Sequence, residues 1–257
     1  MIYGLYLSAQ GADAAAFQQS VWANNLANAQ TTGFKRDIPI FRAHSPFDVE
    51  NLQPPAAPDT IDNQTGGLSV EGTVTDFNQG SLKTTGSDFD LAITSLRPAF
   101  LEVGDGKQRW LTRNGQLSMN QDNVLTMSTT GLPVLSIDGE VFEVPENSSR
   151  LDISSEGIVT SLDGNNLRAV LGQLSLVEPT SPELLLKEGE SLYVNLGKAL
   201  PAEDAQLKQG MLEEADVSPV TGMLNLIQAS RGFEMNMNLV KLQDDLLGRL
   251  LQSAAKK

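Results

Sequence analysis

The chain has 257 residues, with 32 acidic side chains against 18 basic ones, a single His and no Cys. The missing Cys excludes disulfides, thiolate metal sites and a Cys nucleophile. One His, His44, is a poor start for His-rich metal sites or His–Asp–Ser catalysis, and a net charge of −14 is the wrong sign for a nucleic-acid backbone. No apolar run reaches the ~18–20 residues of a membrane span.

The N-terminus lacks the basic start of a secretory signal: Asp13 is the only charged side chain before Lys35. Residues 2–29 read as one helix. Ile2, Ala9, Ala16 and Ala23 fall seven apart, as do Leu5, Ala12, Gln19 and Leu26, and the two series alternate by three and four like a coiled-coil seam. The remaining faces carry polar but uncharged residues such as Asn24, Asn25 and Asn28, whereas a solvated face usually carries Lys and Glu. The pattern predicts a helix that sits among other helices. Thr31-Thr32-Gly33 stops it, with Gly33 as a left-handed cap.

Residues 43–67 hold Pro46, Pro54, Pro55 and Pro58 and read as an extended connector. Residues 68–202 read as β. An alternating run opens at Leu68, Val70, Thr73 and Val74. Short strands are predicted around 89–93, 100–103, 109–112, 124–127, 134–137, 141–144, 151–153 and 167–177. Asn114-Gly115, Asp138-Gly139, Glu156-Gly157 and Asp163-Gly164 mark turns between them. Closely spaced short strands suggest a sandwich or barrel-like body. Ser181-Pro182 predicts a short helix through Lys187. Thr-Thr-Gly recurs at 31–33, 84–86 and 129–131 with unequal spacing, which reads as turn chemistry.

The C-terminal segment, 203–257, returns to helix. Ser218 is the predicted cap and Pro219 the first helical residue. Leu226, Phe233, Val240 and Leu247 are seven apart, Met223, Met237 and Leu251 occupy the second seam position, and a further stripe runs Ile227, Met235, Leu239, Leu242, Leu246 and Leu250. That apolar surface is wider than one partner helix covers. At 1.5 Å per residue the two helices are roughly 40 and 50 Å long, against a radius of gyration of about 18 Å for a compact chain of this length. A β body of that size cannot cover both, although they can cover each other in part. The predicted class is therefore α+β: long terminal helices (1–42 and 203–257) pairing as a coiled-coil-like bundle, with a central mainly-β domain.

The run Asn24-Asn25-Leu26-Ala27-Asn28-Ala29-Gln30-Thr31-Thr32-Gly33-Phe34-Lys35 resembles the N-terminal signature of the bacterial flagellar rod and hook protein family. Gln79-Gly80-Ser81-Leu82-Lys83-Thr84-Thr85-Gly86, with Asp88 to Ile93 and Thr112-Arg113-Asn114-Gly115, is similar to its central signature. Gln209-Gly210-Met211-Leu212-Glu213 through Val217-Ser218-Pro219-Val220, then Arg231 and Phe233-Glu234-Met235, resembles the C-terminal one. Met1 to Tyr6 and Arg231 to Met237 look most like the proximal-rod member. Ala215-Asp216-Val217 and Thr94 to Phe100 depart from the family pattern.

The resemblance implies a non-enzymatic structural subunit. It would be exported without a cleaved signal through the flagellar type III apparatus and built into a periplasmic rod with other copies of itself and other rod proteins. No cofactor or metal is expected. The expected assembly interface is Leu5, Ala9, Ala12, Ala16, Ala23, Asn24, Asn25, Leu26, Asn28, Gly33 and Phe34 at one end, and Met223, Leu226, Ile227, Phe233, Met237, Val240 and Leu247 at the other. Gly33 and Phe34 are expected to cap and anchor the point where the helix turns outward. A distal-rod or hook subunit is the alternative within the family. A carbohydrate-binding or hydrolytic β-domain is a more distant one, resting on Asp88 and Asp90, which read more simply as part of a turn. Asn120 to Asn123 and Asp163 to Asn166 lack the full ligand set of a calcium loop. Trp22 and Tyr6 are expected to pack against neighbours.

Overall fold

A computed structural model describes residues 2–44, 66–106, 108–164 and 167–255. Most of the predicted connector, 45–65, lies outside them. The chain divides into two compact units, one formed by Met1–Ala27, Asp37–Val74 and Val217–Lys257, the other by Asn28–Arg36 and Thr75–Asp216.

The first unit holds helix α1 (Ile2–Ala27), strands β1 (Asp37–His44) and β2 (Gly67–Thr75), and the C-terminal helix α2 (Pro219–Ala254). Helix α2 starts as predicted: the Ser218 hydroxyl accepts the Thr221 amide and Pro219 occupies the first turn, where its missing donor costs nothing. The two helices pack on each other in antiparallel sense. Gly4 lies against Gln243, Gly11 against Asn236, Ala15 against Gly232 and Leu26 against Gly222. Among the described residues no helix is long and apolar enough to cross a membrane.

Strand β1 was not expected, since Pro39 and Arg42 blur its alternation. It pairs with β2 and is fastened to α1. The fully buried Asn25 side chain exchanges two hydrogen bonds with the Asp37 backbone, at 2.8 and 2.9 Å. The Phe17 and Phe41 rings meet edge to face at 6.3 Å. Gln10 Oε1 accepts the Leu68 amide at 3.2 Å. Residues 68–74, predicted to open the β domain, thus belong with the helices.

The second unit is built of short strands. Its main sheet has six, in the order Leu185–Gly189 (β13), Leu192–Asn195 (β14), Arg109–Thr112 (β6), Phe100–Gly104 (β5), Leu176–Pro179 (β12) and Ala199–Pro201 (β15), each pair antiparallel. A three-stranded sheet joins Arg168–Gln173 (β11), Ile158–Asp163 (β10) and Ser148–Ile153 (β9). Two-stranded ladders pair Leu91–Thr94 (β4) with Gln206–Gln209 (β16), Leu82–Thr84 (β3) with Met211–Glu213 (β17), and Leu117–Met119 (β7) with Leu125–Met127 (β8). Leu91, Ile93, Leu101, Val103, Leu125 and Met127 form the centre of the core.

Several expectations shift. Residues 206–209 and 211–213, predicted within the C-terminal helical segment, are strands, and 28–36 join the β unit. Residues 134–137 and 141–144 form only single bridges, because their residues pair with different partners: Val134 with Val103, Leu135 with Val141, Ser136 with Leu174 and Glu143 with Val124. The run 167–177 splits into β11 and β12, with a bulge opposite Val159 and Thr160. The predicted helix 181–187 is one 3-10 turn, Pro182–Leu184, leading into β13. All three Thr-Thr-Gly tripeptides place their glycine at positive φ, 67°, 75° and 70°, as turn chemistry requires.

Candidate assembly surface

The helix predicted over 2–29 with Gly33 as its cap ends at Ala27, six residues earlier, and Gly33 instead closes the turn that follows. Its φ is +67°, its amide donates to the Glu213 carbonyl at 2.8 Å, and a Cβ there would lie 2.6 Å from the Arg113 and Asn114 backbones. Phe34 beside it is buried, with the Lys187 ammonium 4.7 Å above its ring. Gly33→Ala combines left-handed strain with a backbone collision. We expect it to cost about 2–4 kcal/mol, read as a lowered urea midpoint with unchanged m-value.

Next to it lies a buried ion triad. Lys35 and Glu213, each 1% exposed, meet at 2.5 Å, and Arg113 Nη1 reaches the other Glu213 oxygen at 3.4 Å. Lys35 Nζ also donates to the Asn78 carbonyl at 2.6 Å, and the Gly80 amide donates to Glu213 at 2.9 Å. Burial pushes both the Lys35 ammonium and the Arg113 guanidinium below their ordinary pKa values, against the pull of Glu213. Each residue lies in one of the three signature blocks. The triad therefore ties together segments up to 178 positions apart.

At the rim of the triad Asp76 holds Arg36 through two hydrogen bonds, at 2.8 and 3.1 Å. Burial alone would raise the Asp76 pKa. The Arg36 hydrogen bonds, the Asn78 amide and the charges of Arg36 and Lys35 together outweigh it, and the carboxyl sits below 3.8. Its stabilisation is thus complete above 3.8 and fades as pH falls through the lowered folded-state value. In denaturation at pH 6 and pH 2, the gap between wild type and Asp76→Asn should narrow at the lower pH.

The side of α1 that meets α2 is the line Gly4, Ser8, Gly11 and Ala15, not the predicted series. Ala9 and Ala23 are exposed and Ala16 is half-buried, while Ala12 is buried and Leu26 touches α2. On α2 the closest approach runs through Gly222, Ala229, Gly232, Asn236 and Gln243. The Leu226, Phe233, Val240 and Leu247 heptad is half-buried along its flank, with Met237. Small residues let the two backbones approach, and small residues are invisible to a reading that follows large apolar side chains.

The consequence is a large uncovered apolar face. Met223, Leu224, Ile227, Met235 (66% exposed), Leu239, Leu242 (57%), Leu246, Leu250 and Leu251 all lie open along α2. Arg231, Glu234 and Asn238 border a shallow groove over Met235, Leu239 and Leu242. Each Leu left in water forfeits roughly 1.5–3 kcal/mol of burial. A contiguous stripe of this kind marks a protein-contact surface. Of the other expected interface residues, Leu5 and Asn28 are half-buried and Asn24 is exposed.

The chemical candidates resolve into structure. Asp88 pairs with Arg150 at 3.1 Å, and Asp90 is buried with its carbonyl accepting the Gly210 amide at 2.8 Å. Asn120 Oδ1 closes its turn by accepting the Asp122 and Val124 amides. Residues 165 and 166 lie outside the described residues. His44 is exposed at the end of β1, Trp22 is half-buried and Tyr6 is 53% exposed. Among the described residues no group of three or more His, Asp or Glu is placed to hold a metal.

A family model described as Flagella basal body rod protein matches residues 5–35, and one described as Flagellar basal body rod FlgEFG protein C-terminal matches 208–253. The first ends on Lys35 and the second takes in Glu213 and nearly all of α2. The flagellar basal-body rod protein FlgF of Caulobacter vibrioides is 32% identical over 240 residues, covering 91% of this chain and 89% of its own. This chain belongs to the flagellar basal-body rod protein family. The rod protein FlgG of Buchnera aphidicola from Schizaphis graminum is 29% identical over 98% of this chain and all of its own length. FlgF of Escherichia coli K12 is 29% identical over 98% of both chains. The chain is thus a structural subunit of the flagellar basal-body rod, and its membership implies contact with other rod components.

Proposed function

We propose that this chain is a proximal-rod subunit, built into the helical wall of a periplasmic rod by α1 and α2 and transmitting torque without catalytic turnover. The observation that carries the reading is the uncovered apolar stripe of α2, which a lone molecule leaves in water and a tubular polymer buries. In the polymer the two helices pair with those of neighbouring copies in a coiled-coil-like bundle. The chain reaches the rod through the flagellar type III apparatus, without a cleaved signal. Its assignment to the proximal section rests on the run Arg231 to Met237.

Purified basal bodies test this. Gold label on an epitope-tagged chain should fall at the inner-membrane end of the rod, and the mature chain should keep its N-terminal segment uncleaved. Label confined to the outer end would move the assignment to the distal rod. Its absence from basal bodies would overturn the reading.

A further inference from the structure

The β unit contains a pocket that the rod reading leaves unused. It has a volume of about 210 Å³ and opens between Asp76–Gln79, Ser95–Pro98 and Arg113. Arg113 forms part of its wall with a side chain only 2% exposed. Both hydrogen bonds of the guanidinium run through Nη1, to the Ile93 carbonyl at 3.2 Å and to Glu213 at 3.4 Å. Nε is buried and has no partner, and neither does the Thr94 hydroxyl on the residue next to Ile93.

The electrostatics point the same way. Glu213 is shared between two cations and sits closer to Lys35, 2.5 against 3.4 Å, so Arg113 is the less compensated of the two. Asp76, also in the wall, is already engaged by Arg36 and the Asn78 amide. Arg97 at the mouth is engaged by Glu178 at 3.1 Å. A buried donor with no acceptor costs about 1–3 kcal/mol, and the edge of a guanidinium carrying Nε is one that a carboxylate engages in two parallel hydrogen bonds.

We propose that this pocket is a carboxylate-binding site, with the Nε side of Arg113 as its principal donor. It is smaller than the usual ~300–1,000 Å³ ligand pocket, which suits a single carboxylate group. Leu96, 92% exposed on the loop at the mouth, favours a carboxylate presented by protein: an acidic side chain beside an apolar one on a neighbouring subunit. That source rests on the rod reading, whereas the binding of a carboxylate does not.

The test follows the Arg113 Nε–H resonance of the full-length, unassembled chain, labelled at arginine nitrogen and assigned with Arg113→Lys. Acetate should shift it saturably, and sodium chloride at matched ionic strength should not. Ser95→Tyr, which fills the mouth without touching the triad, should abolish the response. A shift that tracks ionic strength alone, or an acetate response unchanged in Ser95→Tyr, overturns the site. The source is read separately, as incorporation of Ser95→Tyr into basal bodies. Loss of incorporation supports the neighbouring subunit. Normal incorporation with acetate binding lost overturns that source and assigns the pocket to a free small carboxylate.

Discussion

Replacing Glu213 by Gln should cost about 3–5 kcal/mol, because it strands two buried cations rather than merely removing a contact. Lys35 and Arg113 have side chains 1% and 2% exposed, and Glu213 is the carboxylate that touches both. Glutamine retains an acceptor for the Gly80 amide but carries no charge to set against their desolvation. The loss should fall on the β unit, since Lys35, Arg113 and Glu213 all belong to it. The expected readout is a lowered denaturation midpoint with early exposure of the Trp110 environment. Lys35→Met in the same background should recover part of the loss, because it removes one of the stranded charges. A stability unchanged in Glu213→Gln would mean that the triad contributes specificity rather than stability.

The second large effect is on assembly. Leu242→Asp places a charge in the middle of the open stripe of α2, at a side chain 57% exposed. The folded monomer should lose less than about 0.5 kcal/mol, as an exposed substitution away from caps and cores does, while incorporation into the rod, and with it motility, should be lost. Leu226→Asp makes the comparison informative. Leu226 is half-buried beside the line where α2 meets α1, so its charged variant should damage the monomer as well. The pair separates the two apolar faces of one helix: one variant fails in the monomer, the other only in the polymer.

Much of this architecture was legible in the sequence, because its signals were local. Ser218-Pro219 announced the start of α2 through capping chemistry, and Thr31-Thr32-Gly33 announced a turn at positive φ, although α1 itself ends earlier, at Ala27. The strands with clear alternation and flanking turns, such as Arg109–Thr112, emerged where expected. The packing seam did not. On α1 nearly every face is small or apolar, so the heptad reading had several equivalent phases and selected Ala9 and Ala23 over Gly4 and Gly11. Strand β13 was missed because Ser181-Pro182 made 181–187 read as a helix, and β16 and β17 because they are short, polar-interrupted and paired with β4 and β3, more than a hundred residues away in sequence.

The ion triad was hidden for the same reason. Nothing local to Lys35 indicates that it is buried against a Glu 178 positions away. The available signal was that Lys35, Arg113 and Glu213 each sit within a signature block, in a chain where one buried carboxylate must serve two cations. The domain limits moved accordingly, since 28–36 and 206–213 are the segments that the triad and its flanking strands draw into the β unit.

Because the chain has no Cys, a single cysteine is a clean reporter for the surface on which the rod assignment turns. Met235→Cys places it in the open stripe, at a position 66% exposed. Maleimide labelling should be rapid and complete in the monomer and strongly suppressed in purified basal bodies. Equal labelling in both states would mean that the stripe stays in water after assembly, and would contradict the account.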